Sequence, residues 1–247
     1  MSLSMLRKFI SALLLLLPML ASAALPPVEA RVRYMALGDS LAAGYKAMPA
    51  TKGYVFQLYL DEVFGRLNET VFDNAAVPGA TSDDQLHFQL PQVPRFRPTV
   101  VTLSIGGNDL LSLLGDAPPT QSQVLAVLTR YGNNLGQTLA SLCFQMPTSG
   151  QIYLHSLYDI PQIPPAAAVV PLFNAALAGV IASVRQLPQC GDKTIAVADV
   201  FGAFAGQDGL LLIERFEKKG FENTFEVHPT NQGHRVIEDA FRAVIGR

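Results

Sequence analysis

The chain has 247 residues, of which 49% are hydrophobic and 15% are charged, and its formal net charge is -2. This balance excludes a disordered chain, which needs low hydrophobicity and high net charge, and it argues against a dedicated nucleic-acid binder, because no basic excess attracts phosphate. With 19 Gly and 17 Pro in no fixed period, collagen-like and low-complexity classes are excluded, and the length fits one α/β or all-β domain.

The first residues have the layout of a secretory signal peptide. Residues 7–8 are basic, residues 9–20 are apolar with one proline, and Ala-Ser-Ala at 21–23 supplies small residues for cleavage. The alternative is a membrane anchor, but the apolar run is shorter than the ~20 residues that cross a bilayer. We therefore predict a signal peptide over 1–23, a single mature domain over 24–247, and export to the periplasm or the medium. No other segment is predicted to span a membrane.

The apolar pattern of the mature chain predicts strands and helices in alternation. In chain order these are strand 31–37, helix 53–67, strand 70–74, helix 83–90, strand 99–105, helix 121–145, strand 151–158, helix 170–187, strand 194–200 and helix 231–245. Thr230 is the expected N-cap of the last helix. Near-continuous apolar strands separated by helices indicate a parallel sheet covered on both faces. We expect one three-layer α/β/α domain.

The chain contains two cysteines, Cys143 and Cys190. In an exported protein they are expected to form a disulfide, and the loop-entropy model gives a bridge of this span about 4 kcal/mol. The alternative is a pair of buried free thiols. Neither cysteine lies in a metal-ligand pattern.

Chemically useful residues follow several of the predicted strands. In open α/β sheets, sites form outside the carboxyl ends of the strands, so these residues are expected to converge. Ser40 is a candidate nucleophile, and His228 is the base that would activate it. The oxyanion of an acyl-transfer intermediate needs donors, which the amides of Ser40 and Gly79 and the side chain of Asn108 can supply. Gly79 lacks a Cβ, so its N–H can approach a substrate closely.

Other interpretations of these residues are structural. A Gly-Asp-Ser triplet is often only a turn, and Asn108 alone could be a helix cap. His87 and His155 stand alone and receive no site role, while His234, in the first turn of the last helix, is assigned to packing or to the surface. A metal site built on His228 and His234 lacks an evident third ligand. The G-x-S-x-G elbow, the P-loop and the dinucleotide fingerprint are absent.

Four motifs in order resemble those of the SGNH, or GDSL, hydrolases. They are Gly-Asp-Ser-Leu at 38–41, Asn-Ala-Ala-Val-Pro-Gly-Ala-Thr at 74–81, Gly-Gly-Asn-Asp at 106–109 and His-Pro-Thr at 228–230. The resemblance covers nearly the whole mature chain. It implies a flavodoxin-like sandwich with a five-stranded parallel sheet and no metal or organic cofactor. It also implies Ser40 as nucleophile, His228 as base, and Gly79 and Asn108 as oxyanion donors.

One position departs from the family pattern. The family usually places an Asp three residues before the His, where this chain has Phe225, and the nearest acid is Glu226. Three interpretations remain open for the group that orients His228. Glu226 can reach the imidazole if the chain bulges or turns there. A backbone carbonyl can hold Nδ1–H instead, or another acid such as Glu222 or Asp199 can fill the role.

Two long connections are expected to shape the substrate pocket, because structureless loops of such length are uncommon and usually functional. One is the Pro-rich segment 159–171, and the other runs over 201–227. The second contains apolar residues at 210–213 and three phenylalanines, Phe216, Phe221 and Phe225, which would form an acyl-binding wall or a mobile cover. The alternative is a short packed helix over 210–218.

These inferences together predict an exported serine esterase that forms a covalent acyl-enzyme. The expected partner is a small-molecule or lipid ester, and no nucleic acid and no integral membrane span after signal cleavage are expected. Small acyl esters, lipid esters and acetylated carbohydrates all remain possible substrates, and acyl transfer to an alcohol is chemically adjacent. The rival interpretation is a carbohydrate- or lipid-binding module on a decayed hydrolase scaffold, for which Phe225 is the only support.

Overall fold

The structure is a computed structural model, and it describes residues 32–114, 117–160, 163–211, 215–218, 221–225 and 227–246. The predicted signal peptide over 1–23 lies outside the described residues, so export remains a prediction.

Five parallel strands form the central sheet. They are β1 (Val32–Gly38), β2 (Thr70–Asn74), β3 (Val100–Ser104), β4 (Gln151–His155) and β5 (Thr194–Ala198). Their order across the sheet is β2-β1-β3-β4-β5, which is the flavodoxin-like order, with its switch point between β1 and β3. The predicted five-stranded parallel sheet is therefore confirmed. Two further strands, β6 (Arg215–Lys218) and β7 (Phe221–Phe225), pair antiparallel as a separate hairpin.

Helices cover both faces of this sheet. They are α1 (Tyr54–Leu60), α2 (Ser82–Asp84), α3 (Val93–Phe96), α4 (Gly107–Leu111), α5 (Gln121–Gln145), α6 (Pro164–Val184), α7 (Val200–Phe204) and α8 (Asn231–Arg242). The predicted helix over 53–67 is too long, because Glu62 adopts a left-handed φ of 56°, which no helix continues through. The N-cap prediction for the last helix is confirmed, since the Thr230 hydroxyl accepts the Gly233 N–H at 3.0 Å.

The strand residues divide between two apolar cores by simple alternation. On β1, Met35 and Leu37 face the core that contains Leu135 of α5. Tyr34 and Ala36 face the opposite core, together with α1 and α8. Both faces of the sheet are thus buried, which explains why the strands appear in the sequence as continuous apolar runs.

The prediction of a Pro-rich connection over 159–171 is wrong, because α6 begins at Pro164. Proline is tolerated in the first turn of a helix, where the N–H that it lacks would have no partner. Pro171 lies inside the helix at an exposed position. The prolines were therefore misleading as loop markers.

The expectation that no other segment is long and apolar enough to span a membrane is also wrong. Residues Pro165–Val184 of α6 contain an 18-residue window with a mean hydropathy of 2.0, which satisfies length and composition alone. Phe173, Leu177 and Ile181 on one side of this helix are buried in the core formed with α5. A core helix meets the same criteria, and this packing accounts for the buried third of the apolar window.

The connection over 201–227 is not structureless, since it contains α7 and the β6–β7 hairpin. The alternative of a packed helix over 210–218 is wrong as well, because Arg215–Lys218 is a strand. Leu210 and Leu211 are buried in the core between the sheet and α8. Residues 212–213 of the predicted acyl wall lie outside the described residues.

The disulfide prediction is confirmed. Cys143, near the end of α5, is bonded to Cys190, and the two Cα atoms are 5.0 Å apart. The bridge closes a segment with a sequence separation of 47 residues, which corresponds to about 4 kcal/mol in the loop-entropy model. It ties α5 to the connection that leads into the edge strand β5.

Candidate active site

The turn after β1 presents Ser40 at the carboxyl edge of the sheet, next to the switch point. Gly38 ends the strand with φ 141°, and a Cβ there would lie 2.2 Å from the Ser104 carbonyl oxygen of β3. Only glycine fits this close approach. The Gln89 side chain holds the same residue, accepting the Gly38 N–H and donating to the Gly38 carbonyl, both at 2.7 Å. Sequence reasoning missed Gln89.

Asp39 fixes the turn from the inside. Its Oδ1 accepts the Leu41 N–H at 3.0 Å and lies 3.0 Å from the Ser104 Oγ, and its own N–H donates to the Ser104 carbonyl at 3.0 Å. Burial raises the pKa of this carboxyl to about 7, and the nearby Asp109 carboxylate also contributes to the rise. The structural role expected for Asp39 agrees with these contacts.

His228 reaches Ser40 from the opposite end of the chain. Its Nε2 lies 2.8 Å from the Ser40 Oγ, across 188 residues of sequence. The imidazole sits between the β6–β7 hairpin and α8, where the Tyr158 hydroxyl donates to the Val227 carbonyl at 2.7 Å. The ring of Tyr45 stands edge-on against the imidazole, with centroids 4.8 Å apart.

Asn108 lies in the first turn of α4, and Gly79 lies in the loop between β2 and α2. The Asn108 Nδ2 donates one of its two hydrogens to the Ala80 carbonyl at 2.9 Å, which fixes the amide in place. Gly79 has φ 87°, and a Cβ there would meet no atom within 4 Å. The positive φ therefore requires the glycine, whereas neighbouring protein atoms would leave room for a side chain.

Asp109, next to Asn108, links α4 to the segment that carries Gly79. Its buried carboxylate accepts the Ser82 N–H at 2.8 Å and the Ser82 hydroxyl at 2.6 Å. Ser82 begins α2 directly after the segment that carries Gly79 and Ala80. Two hydrogen bonds thus fix the spacing between the candidate oxyanion donors. Sequence reasoning missed this role, although the acid in the Gly-Gly-Asn-Asp motif is a signal for it.

An apolar cleft opens beside the Ser40 hydroxyl. It encloses about 490 Å³, including open solvent at its mouth. Its apolar walls come from α4, the segment after β4, α6 and the residue before His228: Leu110, Leu111, Leu157, Ile160, Val170 and Val227. Leu210 and Leu211 do not line it. The predicted location of the acyl wall is thus wrong for these two leucines.

The remaining histidines occupy three different environments. His87 is exposed, and its Nδ1 lies 2.9 Å from the Asp83 carbonyl oxygen. His234 is fully buried against Tyr54, which agrees with the packing role expected for it. His155 is also buried and does not stand alone, because its Nε2 lies 2.9 Å from the Ser104 Oγ.

The candidates for the group that orients His228 are only partly described. Glu226 lies outside the described residues, as does the side chain of Glu222. Asp199 is the N-cap of α7, where its Oδ1 accepts the Gly202 N–H at 2.9 Å. Within the described ranges, no group of three or more His, Cys, Asp or Glu side chains is placed to hold a metal ion.

Comparison with known proteins agrees with this geometry. Residues 36–236 match the GDSL-like Lipase/Acylhydrolase family. The chain belongs to this family. It is therefore an ester hydrolase of the GDSL type, as the four motifs predicted. The family also contradicts the interpretation of the chain as a mere binding module. No match was found among curated proteins.

Solved structures of similar fold include three ester hydrolases. The acetylxylan esterase Axe2 from Geobacillus stearothermophilus is 18% identical, with a TM-score of 0.59, and the match covers 89% of this chain and 96% of that one. The extracellular lipase from Streptomyces rimosus is 22% identical, with a TM-score of 0.56 and coverages of 85% and 99%. The esterase EstA from Pseudoalteromonas is 18% identical, with a TM-score of 0.58 and coverages of 86% and 96%. At these identities the likeness shows the GDSL hydrolase fold.

Proposed function

We propose that this GDSL-family protein hydrolyses carboxylic esters through a covalent acyl-enzyme on Ser40. The observation that carries the proposal is the 2.8 Å contact between the Ser40 Oγ and the His228 Nε2, at the mouth of an apolar cleft. His228 takes the hydroxyl proton as Oγ attacks the ester carbonyl carbon, and it then returns that proton to the leaving alcohol. Water, deprotonated by the same imidazole, releases the acid and regenerates Ser40.

The oxyanion of each tetrahedral intermediate is bound by the amides of Ser40 and Gly79 and by the Asn108 side chain. Asn108 uses one hydrogen of Nδ2 on the Ala80 carbonyl, and the second remains for the oxyanion. The two bonds from Ser82 to Asp109 keep the Gly79 loop at a fixed distance from Asn108. Donors that are held in place before the reaction need no reorganisation as charge develops, which is the main source of their catalytic effect.

The apolar cleft is the proposed acyl site. Its walls of Leu, Ile and Val suit a hydrocarbon chain, since burying each CH₂ gains about 0.8 kcal/mol. The cleft is open at its mouth, so the acyl chain length that it accepts is read from the substrate series. We also propose a signal peptide over 1–23, a single domain over 24–247 and export of the mature enzyme. The disulfide supports export, because such bonds persist in oxidising compartments.

The proposal is tested by hydrolysis of p-nitrophenyl acetate, butyrate, octanoate and palmitate by the mature wild type and by Ser40→Ala. We expect turnover of at least one of these esters by the wild type, and this turnover should be abolished in Ser40→Ala. Equal turnover by wild type and Ser40→Ala would exclude Ser40 as the nucleophile. A folded wild type that hydrolyses none of the four esters would refute the proposed general esterase.

The orienting group for His228 is proposed to be Glu226 or a backbone carbonyl. Glu226→Gln keeps the size of the side chain and removes its charge, and loss of an orienting acid elsewhere costs about 10⁴ in kcat. A loss of several orders of magnitude assigns the role to the Glu226 carboxylate. A loss of less than about threefold removes Glu226 from the catalytic group and favours the carbonyl. Asp239→Asn, at an exposed acid of α8, is the control.

A further inference from the structure

A second serine–histidine contact lies beneath the nucleophile turn, in a row of three buried polar side chains. The Asp39 Oδ1 is 3.0 Å from the Ser104 Oγ, which is 2.9 Å from the His155 Nε2. The other ring nitrogen of His155, Nδ1, is 2.9 Å from the Ser156 carbonyl oxygen. All three side chains are shielded from water, with exposures of 2%, 0% and 3% for Asp39, Ser104 and His155.

The hydrogens available to this row can be counted from its geometry. A carbonyl oxygen only accepts, so the Nδ1 of His155 carries a hydrogen and donates it to Ser156. The Ser104 hydroxyl has one hydrogen, yet it lies within hydrogen-bond distance of both a carboxylate oxygen and the Nε2 of His155. If Asp39 is ionised and His155 is neutral, both of these neighbours are acceptors, and one contact has no hydrogen. Two buried lone pairs facing each other at such a distance are costly.

We propose that Asp39, Ser104 and His155 hold one additional proton, shared along the row, and that this proton positions the turn that carries Ser40. With the proton on the carboxyl, Asp39 donates to Ser104 and Ser104 donates to Nε2. With the proton on Nε2, His155 donates to Ser104 and Ser104 donates to the carboxylate. Either arrangement satisfies both contacts and leaves the row with no net charge. The inference rests on the proposed role of Ser40, which it deepens.

The row meets the nucleophile turn at Asp39, which directly precedes Ser40 in the chain. The Asp39 Oδ1 also accepts the Leu41 N–H at 3.0 Å, and Leu41 follows Ser40 directly. When a base in the solvent removes the shared proton, Ser104 keeps its bond to the carboxylate, and the Nε2 of His155 is left against the Ser104 oxygen. The resulting repulsion acts between β3 and β4, directly under the Ser40 turn. Asp39, Ser104 and His155 are therefore positioning residues, which do not touch the substrate.

The neighbouring ionisable groups favour the proton on the carboxyl. Burial raises the pKa of Asp39 to about 7 and lowers the pKa of His155. The Asp109 carboxylate on α4 adds to the rise at Asp39. Tyr54 of α1 stands edge-on to His155, with ring centroids 6.2 Å apart, and burial raises its pKa well above the usual value, so its hydroxyl is neutral. The neutral ring of Phe241 on α8 also contacts His155.

The proton count is tested directly on the wild-type protein by nuclear magnetic resonance. Nitrogen shifts report the protonation of each imidazole, and the carboxyl carbon shift of Asp39, assigned with Asp39→Asn, reports whether the acid is ionised. We expect at about pH 6 to 7 that either Asp39 is protonated or both nitrogens of His155 carry hydrogens. An ionised Asp39 beside a neutral His155 in this range would overturn the proposal. This measurement does not depend on esterase activity.

The positioning role is tested by the pH dependence of kcat in His155→Phe, with His87→Phe at an exposed histidine as the matched control. In the wild type and the control, kcat should rise through the acid range and fall at least about threefold toward pH 9.5, with KM unchanged. In His155→Phe no acceptor faces Ser104 from β4, so the alkaline fall should disappear while the acid limb remains. An alkaline fall that is the same in all three proteins would refute the positioning role. If none of the three proteins hydrolyses esters but nuclear magnetic resonance still finds the additional proton, the proposed function is refuted and the proposal of a shared proton is not.

Discussion

The molecule contains two serine–histidine pairs with nearly equal geometry and very different surroundings. Ser40 and His228 are 2.8 Å apart at the mouth of an apolar cleft, and both are partly exposed. Ser104 and His155 are 2.9 Å apart and sealed beneath the sheet edge. In the first pair the Ser40 hydroxyl is accessible, and the Asn108 side chain lines the same cleft. In the second pair the Ser104 hydroxyl is buried between the Asp39 carboxyl and the His155 imidazole.

The difference shows that a close hydroxyl–imidazole contact does not by itself make a nucleophile. Ser40 stands in a turn after β1, so its Oγ can meet a substrate, whereas Ser104 is the last residue of the buried strand β3. A nucleophile also needs donors for the oxyanion, and Asn108 lines the same cleft as Ser40 and His228. Access and preorganised donors therefore separate a catalytic pair from a structural one.

The largest expected effect contrasts the two serines directly. Ser40→Ala removes the attacking oxygen and should lower kcat by about 10⁴ or more, leaving only what binding and the oxyanion donors provide. Ser104→Ala removes a hydroxyl that never meets substrate and should cost about tenfold or less, through a looser Ser40 turn. Steady-state kinetics with p-nitrophenyl butyrate measures both. A Ser104→Ala protein that keeps the wild-type fold but is as inactive as Ser40→Ala would contradict the distinction between the two serines.

The second prediction tests the contribution of the Asn108 side chain as an oxyanion donor. Asn108→Ala keeps the Ser40–His228 pair and removes one oxyanion hydrogen bond, so kcat should fall about 10²- to 10³-fold with little change in KM. Asn133→Ala, at an exposed position of α5, is the control and should be unchanged. A fall of less than about threefold in Asn108→Ala would assign Asn108 only to holding the Ala80 loop.

Much of this architecture could be predicted because its signals are local. The strands are continuous apolar runs, and their predicted centres agree with β1 to β5. The helix over 121–145 is bounded as predicted because Thr120 caps it, accepting the Gln123 N–H at 3.3 Å. The start of α6 was missed because two prolines favour a loop in the sequence and a first helical turn in the fold. A local pattern alone does not distinguish these outcomes.

The site was predictable to the extent that its residues lie in motifs at strand ends. Ser40, Gly79, Asn108 and His228 are predicted from the sequence, and the structure brings His228 to Ser40 and places Asn108 in the lining of the same cleft. The positioning contacts were not predictable, since Ser104 and His155 meet only through the pairing of β3 with β4. No spacing along the chain indicates such a contact. The contact of His155 with Ser104 therefore becomes evident only from the register of the sheet.

The smallest expected effect on catalysis is at a third histidine, His234. His234 lies six residues after His228, but it is fully buried, and its Nδ1 accepts the Tyr54 N–H at 3.4 Å. Burial, and then the nearby His228, lower the pKa of His234 to about 4 from an ordinary value of 6.5. The native state therefore resists a proton that the unfolded chain accepts. The associated stability is complete above pH 6.5 and is lost as the pH falls toward 4, by about 3 kcal/mol in all.

His234→Phe keeps a ring in this space and removes the titrating group. Between pH 7 and pH 5, the unfolding free energy of the wild type should fall by about 2 kcal/mol more than that of His234→Phe, as measured by urea denaturation. His87→Phe, which removes an exposed histidine, should follow the wild type. At pH 7 the esterase activity of His234→Phe should stay within about threefold of the wild type, because His234 supports α8 and His228 performs the proton transfer. An equal acid loss in wild type and His234→Phe would show that burial does not keep His234 neutral, and a large loss of activity at neutral pH would give this buried histidine a share in positioning His228.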